Sequence, residues 1–288
     1  MTAPLESSFA KLAIDEERKA EKTGYDEGPT NPDGTRQISY TDEELEAIRR
    51  VRKELIEKHN IDPNRIGLKT LALTTIVSKL RVDEASLKYA KYLQSVADCG
   101  VPNLRDDEVL TVKQDELQDL HQSYASCGRD KQGRSVMWIR GNKSFPEEDE
   151  AEVVRAGIMY HTAIHADAVS LREGITFVID TSQRPAKRAK NDAKLQKTWQ
   201  SMPMRPQALL IAGASLPLRV IINSLILVAS FFTKQKILDR IKFVKVADAL
   251  KTVSTENAPV YLGGGGGDIK DIVQWTKDRI DGFPVPNL

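Results

Sequence analysis

The longest apolar stretch of the chain, Ala208 to Phe232, is interrupted by Pro217, Arg219 and Asn223. The part that follows Arg219, Val220 to Phe232, is shorter than the ~20 residues a membrane-spanning helix needs. A lone Arg at bilayer depth is penalised by roughly 3 kcal/mol. The stretch therefore belongs in a core or over something apolar that comes and goes. Its first part, Ala208 to Ala212, is short and bounded by Pro206 and Gly213, which predicts a buried strand. From Leu218 onward apolar residues surround most of the helical circumference, until Lys234, Gln235 and Lys236 end the pattern. A helix without a polar stripe has no solvent face. Arg240 to Val244 then alternates as a strand does, ahead of the Pro259 to Gly264 turn sequence.

Upstream, the same periodicities predict two kinds of region. Thr41-Asp42-Glu43-Glu44 has the pattern of a capping box opening a helix through His59. Helical patterns recur at Leu68 to Leu80 and at Asp83 to Asp98, the latter with Ala85, Tyr89, Tyr92, Leu93 and Val96 as a stripe. From about Ser135 strand and helix patterns alternate. Val136 to Ile139 and Ile175 to Asp180 read as strands, Glu147 to Asp167 and Asp192 to Gln200 as helices. Such alternation predicts an α/β fold, a mostly parallel sheet covered by helices. A final helix is expected over Asp268 to Ile280. Residues 1–38, charged and rich in Gly and Pro, predict a tail with at most a short helix at Phe9 to Lys22, because they cannot bury enough surface to offset ordering entropy. The expected domains are this tail, a helical unit over 39–125 and an α/β unit over 126–288 with its C-terminal helix.

Several of these segments together resemble the CRAL-TRIO (Sec14-like) lipid-binding family. Gly133-Arg134-Ser135-Val136 is similar to the family's Gly-Arg-Pro-Val opening of a strand, and Gly174 to Asp180 to its central strand ending in Asp. Met202-Pro203-Met204-Arg205 stands where the family has a Tyr-Pro-Glu-Arg-like turn. The strand, the apolar "gate" helix, Arg240 with Ile241, and Pro259 through Gly264 follow in the family's order. The helical unit resembles the family's N-terminal subdomain but lacks its Phe-Leu-Arg-Ala-Arg string, and Thr74 to Lys79 occupies that place.

The resemblance implies a cavity between the sheet and a mobile gate helix. Its expected lining is Ile175, Phe177, Ile179, Trp199, Met202, Met204 and Ile211. The expected gate is Ile221, Leu225, Ile226, Val228, Phe231 and Phe232, with Arg240, Lys234 and Lys236 at the headgroup or membrane side. Ile175 and Phe177 stand where a phosphatidylcholine-binding member has small hydroxyl residues, and Met204 where phosphatidylinositol binding needs an acid. A buried headgroup left unpaired costs roughly 1–3 kcal/mol per group. These substitutions favour a more apolar ligand, such as a sterol, an isoprenoid, a carotenoid, a tocopherol-like molecule or a fatty chain. By period-two alternation Ile175, Phe177 and Ile179 share one face of their strand, and plain core beneath the sheet gives the same pattern.

Composition narrows the function classes. A net charge of +1 with 29% charged residues gives no global pull toward nucleic acid. Cys99 and Cys127 are too few for a disulfide framework, and the N-terminus has no signal-peptide core, which predicts a cytoplasmic protein. Arg184 to Lys197 carries six basic residues and one acid, Asp192, suited to transient contact with an anionic membrane surface or to a solvated helix face. His161 and His165 share a helix face and are candidates for metal or haem, but the Glu of a zinc-protease motif is missing and no third ligand is evident. Gly263 to Gly267 is followed by no Lys-Ser/Thr and reads as a strand exit and joint. No catalytic triad or dinucleotide fingerprint is present, so no enzyme activity and no cofactor beyond a bound lipid or isoprenoid-like ligand is expected. A monomer that carries lipid is the leading expectation. A protein-interaction module on the same fold, for instance one binding a small GTPase, and a haem or metal protein are the alternatives.

Overall fold

The computed structural model describes residues 36–105, 124–140, 150–182, 198, 201–220, 239–253, 258–264 and 272–288. It begins with three helices, α1 (Asp42–Glu57), α2 (Leu68–Val77) and α3 (Val82–Ala97). The capping box at Thr41 is present: Thr41 Oγ1 accepts from Glu44 N at 3.2 Å and Thr41 N donates to Glu44 Oε2 at 3.0 Å. Helix α1 buries Ala47, Ile48, Val51 and Leu55 along one stripe, and α3 buries Ala85, Tyr89, Tyr92, Leu93 and Val96. Helix α2 lies between neighbours and is buried from Lys69 to Val77. Its Thr74 and Thr75 hydroxyls donate back to Thr70 O and Leu71 O at 2.7 and 2.8 Å, so no polar group is stranded there.

A five-stranded sheet follows, in the order β1 (Tyr124–Arg129), β2 (Ser135–Arg140), β3 (Ile175–Asp180), β4 (Pro206–Ala212) and β5 (Ile241–Val244). Strand β1 is antiparallel to β2 and the remaining pairs are parallel. The fold is thus α/β with a mixed, mostly parallel sheet, as the alternating pattern predicts. Strand β1 is, among the described strands, the one that pattern does not contain. It is short and contains Ser126, Cys127 and Gly128, with no alternation to mark it. It is held by the Asp130–Gly133 turn, where Gly133 takes φ +77° and Asp130 N donates to Arg134 O at 2.8 Å. It begins at Tyr124, just ahead of the 126–288 unit drawn from the sequence.

The register sorts the sheet into two faces. Met137 pairs with Phe177, Phe177 with Leu209 and Leu209 with Ile241, while Ile139, Ile179, Ile211 and Phe243 form the next row. Alternation places both rows on one face. Helix α4 (Glu150–His165), the crossover from β2 to β3, covers the β2–β3 half of this face together with the C-terminal helix α7 (Ile272–Asp281). The opposite face buries Val136, Trp138, Val178, Leu210 and Ala212 against α6 (Val246–Leu250) and the Ala258–Leu262 turn.

The helix expected over Glu147 to Asp167 is α4, which ends at His165, and a short helix that the sequence pattern does not mark follows it. Asp167 is extended (φ −159°) and caps α5 (Ala168–Glu173), its Oδ2 accepting from Ser170 N at 2.8 Å. The Asp167 cap thus opens the second helix directly after the expected end of the first. Gly174 then turns the chain into β3 with φ +92°, and a Cβ there would lie 2.2 Å from Arg205 O. Only glycine lets Ile175 N reach Arg205 O at 3.0 Å, which fixes the start of β3 against the residues that lead into β4. The readings at Phe9 to Lys22, Arg184 to Lys197 and Gly265 to Gly267 lie outside the described residues, as does all of the Asp192 to Gln200 helix but Thr198.

Candidate lipid-binding face

The apolar sheet face is unevenly covered. Ile175 and Phe177 are buried in a cluster with Met159, Tyr160, Ala163 and Ile164 of α4 and Ile280 of α7. Ile179, Leu209, Ile241 and Phe243 are only half-buried, with Ile211 buried among them. Among the described residues, the apolar part of the face that α4 and α7 leave half-buried is therefore its β4–β5 half. No carboxylate or amide interrupts the row Ile179, Ile211, Phe243. Such a surface suits an apolar occupant, since a polar group set against it would lose its hydrogen bonds with water and gain none.

The amino end of β4 is polar by contrast. Arg240 donates from NH1 to Pro206 O at 2.6 Å, tying the start of β5 to the start of β4. Lys88 of α3 reaches Met204 O at 3.3 Å. Met204 is half-buried and packs against both the helical cluster of α1–α3 and the Phe177 cluster. Met202, two residues earlier, is buried in the helical cluster with Val154 and Ile158, on the far side of α4 from the sheet. Trp199, Ile221, Leu225, Ile226, Val228, Phe231, Phe232, Lys234 and Lys236 lie outside the described residues. Of the run that contains them, residues 216–220 are described and helical, with Arg219 Nε donating to Ala214 O at 3.0 Å and its guanidinium 5.8 Å from the Phe243 ring.

The sequence motifs acquire partners in three dimensions. Asp180, which ends β3, accepts from Ser182 N at 2.9 Å and from the Tyr261 hydroxyl. Tyr261 also accepts from Trp138 Nε1 at 2.8 Å, and the Arg140 guanidinium lies 4.2 Å above its ring. Burial and the Asp180 carboxylate push the Tyr261 phenol up, so it stays a neutral donor. The Pro259–Gly264 turn is therefore a clasp across the carboxyl ends of β2 and β3. At the other end of these strands Asp130 accepts from Arg134 Nε at 2.8 Å and from Thr176 Oγ1 at 2.7 Å, which gives the Gly133-Arg134 sequence its structural role.

These features converge with comparison to known proteins: the model of the CRAL/TRIO domain matches residues 121–264. The chain belongs to the CRAL/TRIO family. Domains of that family bind small lipophilic molecules, which fits the half-covered apolar face. Comparison with curated proteins finds no match. Among the described residues, no helix is long and apolar enough to cross a membrane, and no group of three or more His, Cys, Asp and Glu side chains is placed to hold a metal ion. His161 and His165 are both buried, with ring centroids 5.0 Å apart. Lys88 was missed in the sequence, where it is one lysine on an amphipathic helix. Only the fold shows that it points away from water.

Proposed function

We propose that this CRAL/TRIO protein is a carrier, not a catalyst, which holds one hydrophobic lipid against the β4–β5 half of its sheet and moves it between membranes. The observation that supports this most is the row Ile179, Ile211 and Phe243, apolar and continuous across three strands yet incompletely covered by α4 and α7. A preformed apolar concavity with few polar groups is the ordinary form of a lipophile site. The apolar sequence from Ile221 to Phe232 is the proposed lid. Lys234, Lys236 and the Arg184 to Lys197 segment are proposed to meet anionic headgroups for a transient, salt-sensitive contact made by a cytoplasmic monomer.

Native mass spectrometry of the purified protein, followed by organic extraction, tests the carrier. Stoichiometric retention of an apolar lipid is expected, together with transfer of that lipid between labelled vesicles. A protein that emerges empty and acquires no lipid from vesicles would overturn the reading. In that case the interaction module becomes the better account. It is favoured by the close packing of Ile175 and Phe177 beneath α4, which already fills half of the face with side chains.

A further inference from the structure

Helix α1 carries a second pattern beside its buried stripe. Arg49, Arg52, Lys53, Ile56 and Glu57 are spaced i, i+3, i+4, i+7 and i+8, which sets them along one side of the helix. The last residues of the chain lie over that side. Tyr40 donates to Pro284 O at 2.8 Å and Arg49 NH2 donates to Asn287 O at 3.2 Å, and these bonds bring Leu288 alongside the helix. Between the two is a hollow of about 350 Å³, lined by Arg49, Arg52, Lys53, Ile56, Glu57 and Leu288. None of these residues belongs to the sheet, so the hollow is separate from the lipid-binding face.

The cations around the hollow are poorly paired. Arg49 lies 3.6 Å from Glu46 and Lys53 4.0 Å from Glu57, both pairs exposed and long, which makes them weak in water. Arg52 is half-buried and makes no hydrogen bond or ion pair among the described residues. Nor does the Leu288 carboxylate pair with any of the three cations among the described residues. Half-burial takes water from the Arg52 guanidinium, and an anion in the hollow would replace it. Ile56 and Leu288 add apolar surface to the same walls, so the fitting occupant is an anion with an apolar part. A carboxylate offers one charge and two oxygens, a phosphate monoester about two charges and three terminal oxygens. The monoester is the better match to two guanidinium forks and an ammonium, because Arg holds phosphate through two parallel N–H···O bonds. The volume is near the small end of the ~300–1,000 Å³ typical of small-molecule sites.

We propose that the hollow between α1 and Leu288 is a binding site for an organic phosphate monoester, its phosphate held by Arg49, Arg52 and Lys53 and its apolar part set against Ile56 and Leu288. A soluble phosphate ester and the headgroup of phosphatidic acid present this same chemistry. The occupant also fastens the last residues of the chain to α1. Those residues follow Phe283, which is buried in the cluster shared by the helical and sheet units, so occupancy stabilises the whole molecule and not α1 alone.

The test is calorimetric titration of the full-length protein with phenyl phosphate, inorganic phosphate and phenol, alongside sedimentation with phosphatidylcholine vesicles that contain or lack phosphatidic acid. Phenyl phosphate is expected to bind one to one and to raise the melting temperature. It should bind roughly fivefold more tightly than inorganic phosphate, which has no apolar part to bury, and phenol should not bind. Arg52→Gln is expected to weaken phenyl phosphate by roughly tenfold or more, the usual loss for a hydrogen bond to a charged group. Arg52 has no bond within the described protein to lose, so the circular dichroism of the variant should match that of the native chain. Arg50→Gln, which removes an exposed charge outside the hollow, should leave the affinity unchanged. Sedimentation with phosphatidic acid that depends on Arg52 makes the headgroup the source, and phenyl phosphate binding without it makes a soluble ester the source. If neither phenyl phosphate nor phosphatidic acid binds, or if Arg50→Gln weakens binding as much as Arg52→Gln, the hollow is not a phosphate site. The carrier reading stands or falls independently of these results.

Discussion

At the scale of single residues, the most consequential feature is a pair of histidines kept neutral by burial. Desolvation lowers His165 to about 4, against the ordinary value near 6.5, with the charges of Lys88 and Arg279 acting in the same direction. His161 too is held well below its ordinary value, by burial first and then by His165 and Lys88. Between pH 6.5 and 4 the unfolded chain therefore binds protons that the folded chain refuses. Stability is full above about pH 6.5 and falls as the pH drops toward 4. One pKa unit corresponds to about 1.4 kcal/mol, so the His165 contribution alone is on the order of 3 kcal/mol at the acid end. Other carboxylates titrate nearby, and a difference measurement separates them. Urea midpoints of the native chain and of His165→Leu, taken at pH 7 and pH 4.5, should show a smaller acid loss in the variant. Equal losses would remove the histidine from the account. Position 165 was legible in the sequence as half of an i, i+4 pair, yet its role was not, because Lys88, Arg279 and Asp167 reach it from other elements.

At the scale of elements, sequence pattern and structure agree where the periodicity is strong and part where an element is too short to show a period. Strands β2 through β5 and helices α1 through α3 stand close to where alternation, apolar stripes and the Thr41 capping box put them. Strand β1, α5 and α6 were invisible, because a Ser-Cys-Gly strand and helices of six and five residues leave no periodic trace. The apolar face was legible, but not which half of it α4 and α7 would fill. Glu44 shows how far a local motif can reach. Its Oε2 closes the capping box with Thr41 N, and the same carboxylate receives Arg172 of α5, Nε at 2.7 Å and NH2 at 2.8 Å. Arg172 NH2 also donates to Ser39 O at 2.7 Å. The pair is buried on both sides, so removing one partner strands the other charge. Thr41→Ala loses only the cap and should cost about 1 kcal/mol. Glu44→Ala should cost about 3–5 kcal/mol, the range for breaking a buried pair. Denaturant unfolding of both variants checks the ratio, and similar losses would mean that Glu44 matters only as a cap.

At the scale of the molecule, the helical unit and the sheet are joined by the end of the chain as well as by α5. Helix α7 packs on α4, with Arg279 Nε donating to Ala163 O at 2.6 Å. Lys69 of α2 donates to Ile280 O, also at 2.6 Å. Beyond α7, Phe283 is fully buried with Ile38, Leu73, Ile76, Val77 and Leu171, a cluster drawn from both units. Tyr40 then donates to Pro284 O at 2.8 Å and Arg49 to Asn287 O at 3.2 Å, so the last residues run across the face of α1. This arrangement makes separate melting of the two units unfavourable, because either one, unfolding alone, would expose the Phe283 cluster. Phe283→Ala should destabilise the protein by about 3–5 kcal/mol, as for other large-to-small changes in a packed core. Unfolding followed by tryptophan fluorescence, which reports Trp138, Trp199 and Trp275, all within 126–288, and by far-UV circular dichroism, which weights the helices, should give one coincident transition in the native chain. In Phe283→Ala the helical signal should begin to fall first, since the contact that couples the two units is the one removed. Coincident curves in the variant would show that α5 and the Glu44–Arg172 pair couple the units without help from the chain end. Two separate transitions in the native protein would show that the shared cluster does not couple them at all.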